Sequence, residues 1–345
     1  MPRLRRVDCS GPGIARRRAG RGFVYLRPDG TRVRDAATLA RIRALVIPPA
    51  WRDVWICPLA NGHIQATGFD ARGRRQYRYH DAWRVRRDQE KFDHMTEFAR
   101  ALPGMRARCA ELLSTRGFAR DRVLAGATRL LDLGFFRIGS EGYAAENQSY
   151  GLATIRRDHV TVSGDVVRFD YVAKGGKRTI QSVADPAVLK LVRALKARDG
   201  GGVELLASKA RGRWVDVRSA DINAFIKELS GGEFTAKDFR TWSATVFAAL
   251  ALAVSTGATT RTARNRAVVR AVGEAAHYLR NTPAVCRASY IDPRVIDAYL
   301  GGITIKASLD RLGENVQFGQ PATQGPVEEA VLALLEGVAE TAKAA

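Results

Sequence analysis

His159-Val-Thr-Val-Ser163-Gly-Asp165-Val-Val-Arg-Phe-Asp-Tyr-Val-Ala173-Lys174-Gly-Gly-Lys177-Arg-Thr-Ile-Gln-Ser-Val183 is the stretch that decides the fold class. Three β-branched and aromatic runs are separated by Ser-Gly-Asp and Lys-Gly-Gly-Lys, which are turn signals. This predicts a three-stranded antiparallel meander. On both sides the apolar residues recur at helical spacing instead. A meander inside a helical domain makes this an α+β chain rather than an alternating α/β one. Lys174 falls at or beside the second hairpin's tip, where a long cationic side chain has reach and mobility.

Upstream, Phe92, Met95, Phe98 and Leu102 mark an amphipathic helix over 86–101, and 105–115 and 121–136 read the same way. Before them lies a mostly β region. Phe23-Val-Tyr-Leu, Val54-Trp-Ile-Cys and His63-Ile-Gln-Ala-Thr are short strands between Gly, Pro and Asp turns. One helix, Asp35 to Leu45, interrupts them and stops before Pro48-Pro49. Downstream, Asp238-Phe-Arg240-Thr-Trp precedes an apolar helix from Ser243 to Val254, and another helix spans Thr259 to Leu279. Thr282-Pro283 opens a short helix, with a hydroxyl cap and proline at its first position, and Tyr290 lies about two turns into it. A final helix starts at Val327 and carries Val331, Leu332, Leu334, Leu335 and Val338. The expected organisation is a basic arm at 1–20, mobile over its first ten or so residues; a β-sheet domain at 21–84; a helical domain at 85–311; and a linker (about 312–326) with its helix in 312–345. The connection between the two domains is expected near 78–90.

The net charge of +21 over 345 residues, with 56 Lys+Arg against 35 Asp+Glu, points to a polyanionic partner. No apolar run reaches the roughly 18–20 residues that span a bilayer, and the start lacks the apolar stretch of a secretory signal. A cytoplasmic, nucleoid-associated location follows as an expectation. Cys9, Cys57, Cys109 and Cys286 are scattered, with no C-x-x-C spacing, so reduced thiols are expected. There is no H-E-x-x-H, no dense Asp/Glu cluster and no P-loop, because Gly175-Gly176-Lys177 has the wrong spacing and the wrong follower. Phosphate chemistry here is therefore expected to use no metal, no nucleotide and no other cofactor.

Five blocks, in order, carry a resemblance. They are Ile47-Pro-Pro-Ala-Trp51; Gly62-His-Ile-Gln-Ala-Thr-Gly68 with Asp70-Ala-Arg-Gly-Arg-Arg-Gln-Tyr-Arg-Tyr79; Phe136-Arg137-Ile-Gly139; Lys237-Asp-Phe-Arg240-Thr-Trp242; and Asn281-Thr-Pro through Tyr290. Together they resemble the short, poxvirus-like bacterial type IB DNA topoisomerases. The resemblance implies a small N-terminal β-sheet domain and a larger, mainly helical catalytic domain that form a clamp on duplex DNA, working as a monomer. It implies Tyr290 as nucleophile, Arg137 and Arg240 as transition-state stabilisers, and Lys174 as the acid for the leaving oxygen. Lys237 would stand near the scissile phosphate, and Gln76, Tyr77 and Tyr79, with Arg74 and Arg75 in the same block, would contact DNA. One position departs: poxviral and eukaryotic members usually carry histidine nine residues before the tyrosine, and this chain has Asn281. Asparagine can donate a neutral hydrogen bond to a phosphate oxygen but does not titrate near pH 7, so only the donor role is expected.

These residue types suit the chemistry. Arginine's fixed fork stays protonated and donates two bonds to phosphate oxygens. A phenol with a pKa of about 10 needs neighbouring cations to ionise as it attacks, and a deoxyribose oxygen leaves poorly without a proton. The expected reaction cuts one strand through a 3′-phosphotyrosyl intermediate, lets supercoils relax and rejoins the strand. The alternatives are a tyrosine recombinase or integrase and a non-catalytic architectural DNA-binding protein. Recombinases typically carry His-x-x-Arg where this chain reads Lys237-x-x-Arg240, and an architectural binder has no use for the Tyr290 group.

Overall fold

The computed structural model describes residues 3–255, 257–309 and 323–344, with the side chains of 338–344 outside that description. The chain divides into two compact units, Met1–Asp93 and His94–Ala345.

In the first unit, β1 (Ile14–Ala19), β2 (Gly22–Leu26), β3 (Arg52–Ile56), β4 (Ile64–Phe69) and β5 (Arg75–Tyr79) form one antiparallel sheet, in the order β2-β1-β3-β4-β5. Helix α1 (Ala36–Ala44) follows β2 and is capped by the Asp35 carboxylate, which accepts from the Thr38 N–H. The core is one sheet face, with Ile14, Val54, Ile56 and Ala66 packed on Val33 and Ile42, and Ile47 and Trp51 closing its edge. Two of the sequence blocks are scaffold. The Ile47, Pro48 and Trp51 carbonyls accept from Arg16 at 3.2, 3.1 and 2.7 Å. The buried Gln65 donates to the Leu59, Ala60 and Gly62 carbonyls, while its oxygen accepts from Arg41.

The basic segment 1–20 is not a free arm where it is described. Residues 14–19 are the second strand of the sheet, and Arg5 pairs with the chain near Gly62. Its N–H donates to Asn61 O and its carbonyl accepts from His63 N–H, both at 2.9 Å. The Trp55 indole donates to Gly11 O. Backbone pairing, invisible in a charge count, holds this segment down.

In the second unit the helices dominate. The expected helices 86–101 and 105–115, and the expected linker near 78–90, are one element, α2 (Asp81–Ser114), which runs through Pro103. The division between the units falls inside it. Phe92, Met95, Phe98, Leu102, Met105, Cys109 and Leu113 are all buried along one stripe. Packing of that stripe outweighs the hydrogen bond that the proline forfeits. Next come α3 (Arg120–Gly134), α4 (Glu141–Asn147), and the meander of β6 (Val160–Ser163), β7 (Val166–Ala173) and β8 (Lys177–Val183), in the order expected. Then follow α5 (Pro186–Ala197), a hairpin of β9 (Ala207–Ala210) and β10 (Arg213–Asp216) that the turn signals did not reveal, and α6 (Ser219–Ser230). The last group is α7 (Ala236–Ala253), α8 (Arg261–Leu279), α9 (Pro283–Ser289), α10 (Pro293–Leu300), α11 (Lys306–Leu309) and α12 (Pro326–Ala344).

Helix α12 docks through buried Val327, Val331 and Leu335 and through a shared carboxylate. Glu328 accepts from Arg106 and from the Trp242 indole at 2.8 Å, while Arg106 and Arg129 both pair with Asp132. One ionic cluster thus ties α2, α3, α7 and α12 together. Most of the expected linker 312–326, and the side chain of Val338, lie outside the described residues.

Two glycines fix the loop after α3. Gly139 (φ 77°) crosses Gly151 so closely that a Cβ on Gly151 would stand 2.4 Å from Gly139 N and 2.7 Å from Arg137 O. Neither backbone can yield cheaply, because Leu152 N–H and Ala153 N–H bond to Arg137 O and Ile138 O at 2.8 Å. Gly151→Ala is expected to cost about 2–3 kcal/mol, a fall in Tm of roughly 4–12 °C for a unit of this size. In Gly142→Ala the added methyl meets open space on α4, and the Tm should hold or rise. Equal melting of the two variants by calorimetry would contradict this account of the crossing.

Candidate active site

The site is built around Arg240. Helix α7 starts at Ala236, earlier than Ser243, because Asp238 accepts from both the N–H and the hydroxyl of Thr235 and caps the first turn. Arg240 therefore sits inside the helix and points into the unit, 4% exposed. Its guanidinium donates to Phe135 O and, at 2.8 Å, to Leu279 O. These carbonyls lie at the C-terminal ends of α3 and α8, where backbone acceptors have no partner within the helix and the dipole is negative. Burial first, and the nearby Arg137 second, push the Arg240 pKa down from 12.5 to about 10. That shift corresponds to roughly 3 kcal/mol against the cation at about 1.4 kcal/mol per unit. An anion arriving beside it would relieve this.

Each of the two clasped helix ends turns through a left-handed residue and then presents a polar side chain. After α3, Phe135 (φ 55°) is followed by Phe136, buried edge-on against Phe169 at 4.9 Å, and then by Arg137. After α8, Arg280 (φ 52°) is followed by Asn281, whose N–H bonds back to Ala276 O at 3.0 Å. The two side chains meet: Arg137 Nη2 donates to Asn281 Oδ1 at 2.6 Å and to Arg280 O at 3.0 Å. Two non-glycine residues in the left-handed region cost energy, and such strain is common at functional sites.

Two buried donors in this cluster, Arg240 Nε and Asn281 Nδ2, have no hydrogen-bond partner among the described residues. Native proteins rarely leave buried polar atoms unpaired, and each instance needs a reason. With the Arg137 guanidinium they form a set of donors suited to an oxyanion.

Tyr290 completes the group. It stands at the C-terminal end of α9 rather than within it, with φ −133° and its N–H on Cys286 O. The Arg240 guanidinium lies 5.5 Å from its ring centre. The buried Thr245 of α7 holds the backbone here: its hydroxyl accepts from Asp292 N–H at 3.1 Å and shares its one proton between Thr241 O at 3.0 Å and Tyr290 O at 3.3 Å. Two other nucleophile types lie close. Cys286 is buried, its thiol raised to about 11 by burial against the pull of Arg240. Tyr171 is 5% exposed and raised to about 12 by burial, and its hydroxyl donates to Gln181. Of the three, Tyr290 alone is half-exposed. The sequence missed Thr245, Tyr171 and Gln181. A threonine in a helix otherwise read as apolar all round was the available signal for the first.

Lys174 stands exposed in the turn between β7 and β8, beside Gly175 and Gly176. Lys237 is exposed one turn before Arg240 on α7. In the first unit, β5 sorts its residues by face. Tyr77 and Tyr79 are exposed and stacked at 6.0 Å, with Arg75 5.6 Å over Tyr77. Gln76 faces the other way and donates to Asp70, which also accepts from Arg74. The Arg74 side chain first, and then backbone N–H groups, hold the Asp70 carboxyl down at about 2. The expected DNA-contact group therefore splits into an aromatic–basic face and a pair tied to one carboxylate.

A set of donors suited to an anion beside an accessible phenol is the arrangement that phosphoryl transfer through a tyrosine would need. The comparisons with known proteins agree. The family model described as eukaryotic DNA topoisomerase I, catalytic core, matches residues 80–308, and that described as bacterial DNA topoisomerase IB, N-terminal domain, matches residues 22–70. The chain is 30% identical to DNA topoisomerase 1B of Acanthamoeba polyphaga mimivirus over 295 residues, 83% of this chain and 87% of the relative. It is 27% identical to DNA topoisomerase 1 of Daucus carota over 164 residues, 46% of this chain and 19% of that protein. The chain belongs to the type IB DNA topoisomerase family.

Asn281→Asp isolates the donor. It keeps the shape and strengthens the Arg137 contact, yet puts a charged acceptor where Nδ2 was. Supercoil relaxation is expected to fall about 10²–10³-fold, while the Tm holds or rises. Full activity in this variant would remove Asn281 from the site.

Proposed function

We propose that this protein relaxes supercoiled DNA by reversible transesterification through Tyr290. The observation that carries the reading is the pair of unpartnered buried donors, Arg240 Nε and Asn281 Nδ2, beside Arg137 and a half-exposed phenol. Tyr290 Oη attacks the phosphorus as the bond to the 5′ oxygen breaks. The attacking oxygen is left esterified to the 3′ phosphate, and the phenolic proton passes to solvent. Arg137, Arg240 and Asn281 donate to the non-bridging oxygens, whose charge grows in the pentacoordinate transition state. Lys174 protonates the departing 5′ oxygen and takes the proton back when that oxygen returns. Lys237, on the exposed face of α7, lies within the same charged neighbourhood and supports phosphate binding.

The phosphotyrosine retains the energy of the broken ester, so rejoining requires no nucleotide. Between the two steps the free 5′ end turns about the intact strand and torsion is released. One chain supplies every group in this scheme, which supports a monomer as the working unit. In the first unit, Arg75, Tyr77 and Tyr79 offer cationic and aromatic surface for backbone and base contact, with Arg74 and Gln76 set by Asp70. Among the described residues no helix is long and apolar enough to cross a membrane. With DNA as substrate and a bacterial-type N-terminal domain, we place the protein on the nucleoid of a bacterial cytoplasm.

Supercoiled plasmid should relax in EDTA without ATP, and a denaturing stop should trap protein on the 3′ end of nicked DNA. Tyr290→Phe should bind duplex with unchanged affinity and form no adduct. Relaxation surviving in that variant, or a strict need for Mg²⁺ or ATP, would overturn the mechanism. Exchange of strands between defined sites would point to a recombinase instead. Affinity should drop about 10³–10⁵-fold between 50 and 200 mM salt if some six to ten phosphates are contacted.

A further inference from the structure

The β7–β8 hairpin is bound to the site at two adjacent residues of β8. Arg280, next to Asn281, donates through Nη2 to Ile180 O at 2.7 Å. Gln181 donates through Nε2 to Gly134 O, at the end of α3 and three residues before Arg137. On the same face of the strand pair, Tyr171 donates its hydroxyl to Gln181 Oε1 at 2.9 Å. Register explains the contact: Phe169 lies opposite Gln181 and Tyr171 opposite Thr179, so Tyr171 and Gln181 are diagonal neighbours. An amide held by its oxygen at Tyr171 must present its nitrogen to Gly134. Burial raises the Tyr171 phenol to about 12 despite Arg137, Arg240 and Arg280 nearby, so it remains a donor and fixes the amide's orientation.

Beyond this anchor β7 is tied at Val172, whose carbonyl accepts from Tyr150 N–H at 2.8 Å, and at Ala173, whose carbonyl accepts from the Ser149 hydroxyl at 3.3 Å. The turn holds Gly175 (φ 81°) and Gly176 (φ 73°), and Lys174 is exposed. Lys174 lies three residues past Tyr171 on β7, roughly 10 Å along the strand at about 3.3 Å per residue. The ties at Val172 and Ala173 fix β7, and the Gln181 contact fixes β8 beside it, so both strands must be held for the turn to carry the ammonium at one angle.

We propose that Tyr171 and Gln181 are positioning residues: the relay Tyr171 Oη–Gln181–Gly134 O holds the hairpin at the angle from which Lys174 reaches the leaving 5′ oxygen. The proposal rests on the reading of Lys174 as the acid. Tyr171 is buried, and the polar atoms of the relay are engaged with one another and with Gly134 O. The relay acts only through where the lysine stands, and so only on the step in which the P–O5′ bond breaks and that oxygen gains a proton.

The test uses leaving-group chemistry. A cleavage site is first mapped from denaturant-trapped adducts. Duplexes are then made with either the natural 5′ oxygen or a bridging 5′ sulfur at the scissile bond, since a thiolate leaves without protonation. Tyr171→Phe, Gln181→Met and Lys174→Ala are compared with the unaltered full chain in single-turnover cleavage, with Tm measured for each. Expected is a loss of about 10-fold or more on the oxygen duplex for the two relay variants, and about 10²-fold or more for Lys174→Ala. All three should be restored to within about threefold of the unaltered protein on the sulfur duplex, as expected when the missing contribution is the acid's. Equal slowing on both duplexes would overturn the proposal, since a general loosening of the site does not distinguish leaving groups. Unslowed cleavage of the oxygen duplex by the relay variants would overturn it too. If Lys174→Ala is itself not restored by sulfur, the acid assignment fails and takes the proposal with it. Because that outcome appears in a different variant, the two failures can be told apart.

Discussion

The clasp of Arg240 on two helix ends is the interaction on which the catalytic unit depends. A helix C-terminus leaves carbonyls without partners; here one from α3 and one from the end of α8 accept from the same buried guanidinium. The clasp brings together the residues that follow each end, Arg137 after one and Asn281 after the other. Electrostatics and architecture are thereby the same contact. The cation is kept out of water, its two terminal nitrogens bond to neutral carbonyls while Nε has no partner among the described residues, and burial holds its pKa below the ordinary guanidinium value, which favours an anion beside it. A carboxylate partner would have stabilised the resting site and competed with phosphate.

The two units use arginine and glutamine in different ways. Arg16 and Gln65, with Arg41, spend their hydrogen bonds on backbone carbonyls of the first unit. The blocks around Trp51 and Gln65 are thus distinctive in sequence because a small sheet domain needs side chains to satisfy its irregular loops. The exposed side of β5 is where alternate residues, Arg75, Tyr77 and Tyr79, are free of such duties. Asp70 draws the line, pulling Arg74 and Gln76 to itself and leaving Arg75, Tyr77 and Tyr79 outward.

Much of this was legible from the chain. The meander, the helix that begins at Asp35 and the opening of α9 at Thr282-Pro283 all follow from local patterns, because turns, caps and apolar periodicity are local physics. The misreadings have different causes. Separate helices were expected over 86–101 and 105–115, whereas the stripe from Phe92 to Leu113 is buried on both sides of Pro103 in one helix. The first residues looked like an arm because their backbone partners, Asn61 and His63, lie some sixty positions away. Ser243 looked like a helix start because the Thr235–Asp238 cap was overlooked. At the site, residue types named the chemistry, but the roles of Thr245, Tyr171 and Gln181 arise only from tertiary contacts.

The reach of the Arg240 contacts also bears on when the site comes into existence. Its two carbonyl partners are 105 and 39 positions away, and Arg137 meets Asn281 across 144. Contacts of that separation form late, after the loops between them have been closed at an entropic cost. The phenol, its cation and the donor pair are therefore brought together by tertiary contacts of the folded unit and by no local segment of it. An enzyme whose chemistry breaks the genome's backbone becomes competent to cut only in the conformation that is also competent to hold the ends and rejoin them.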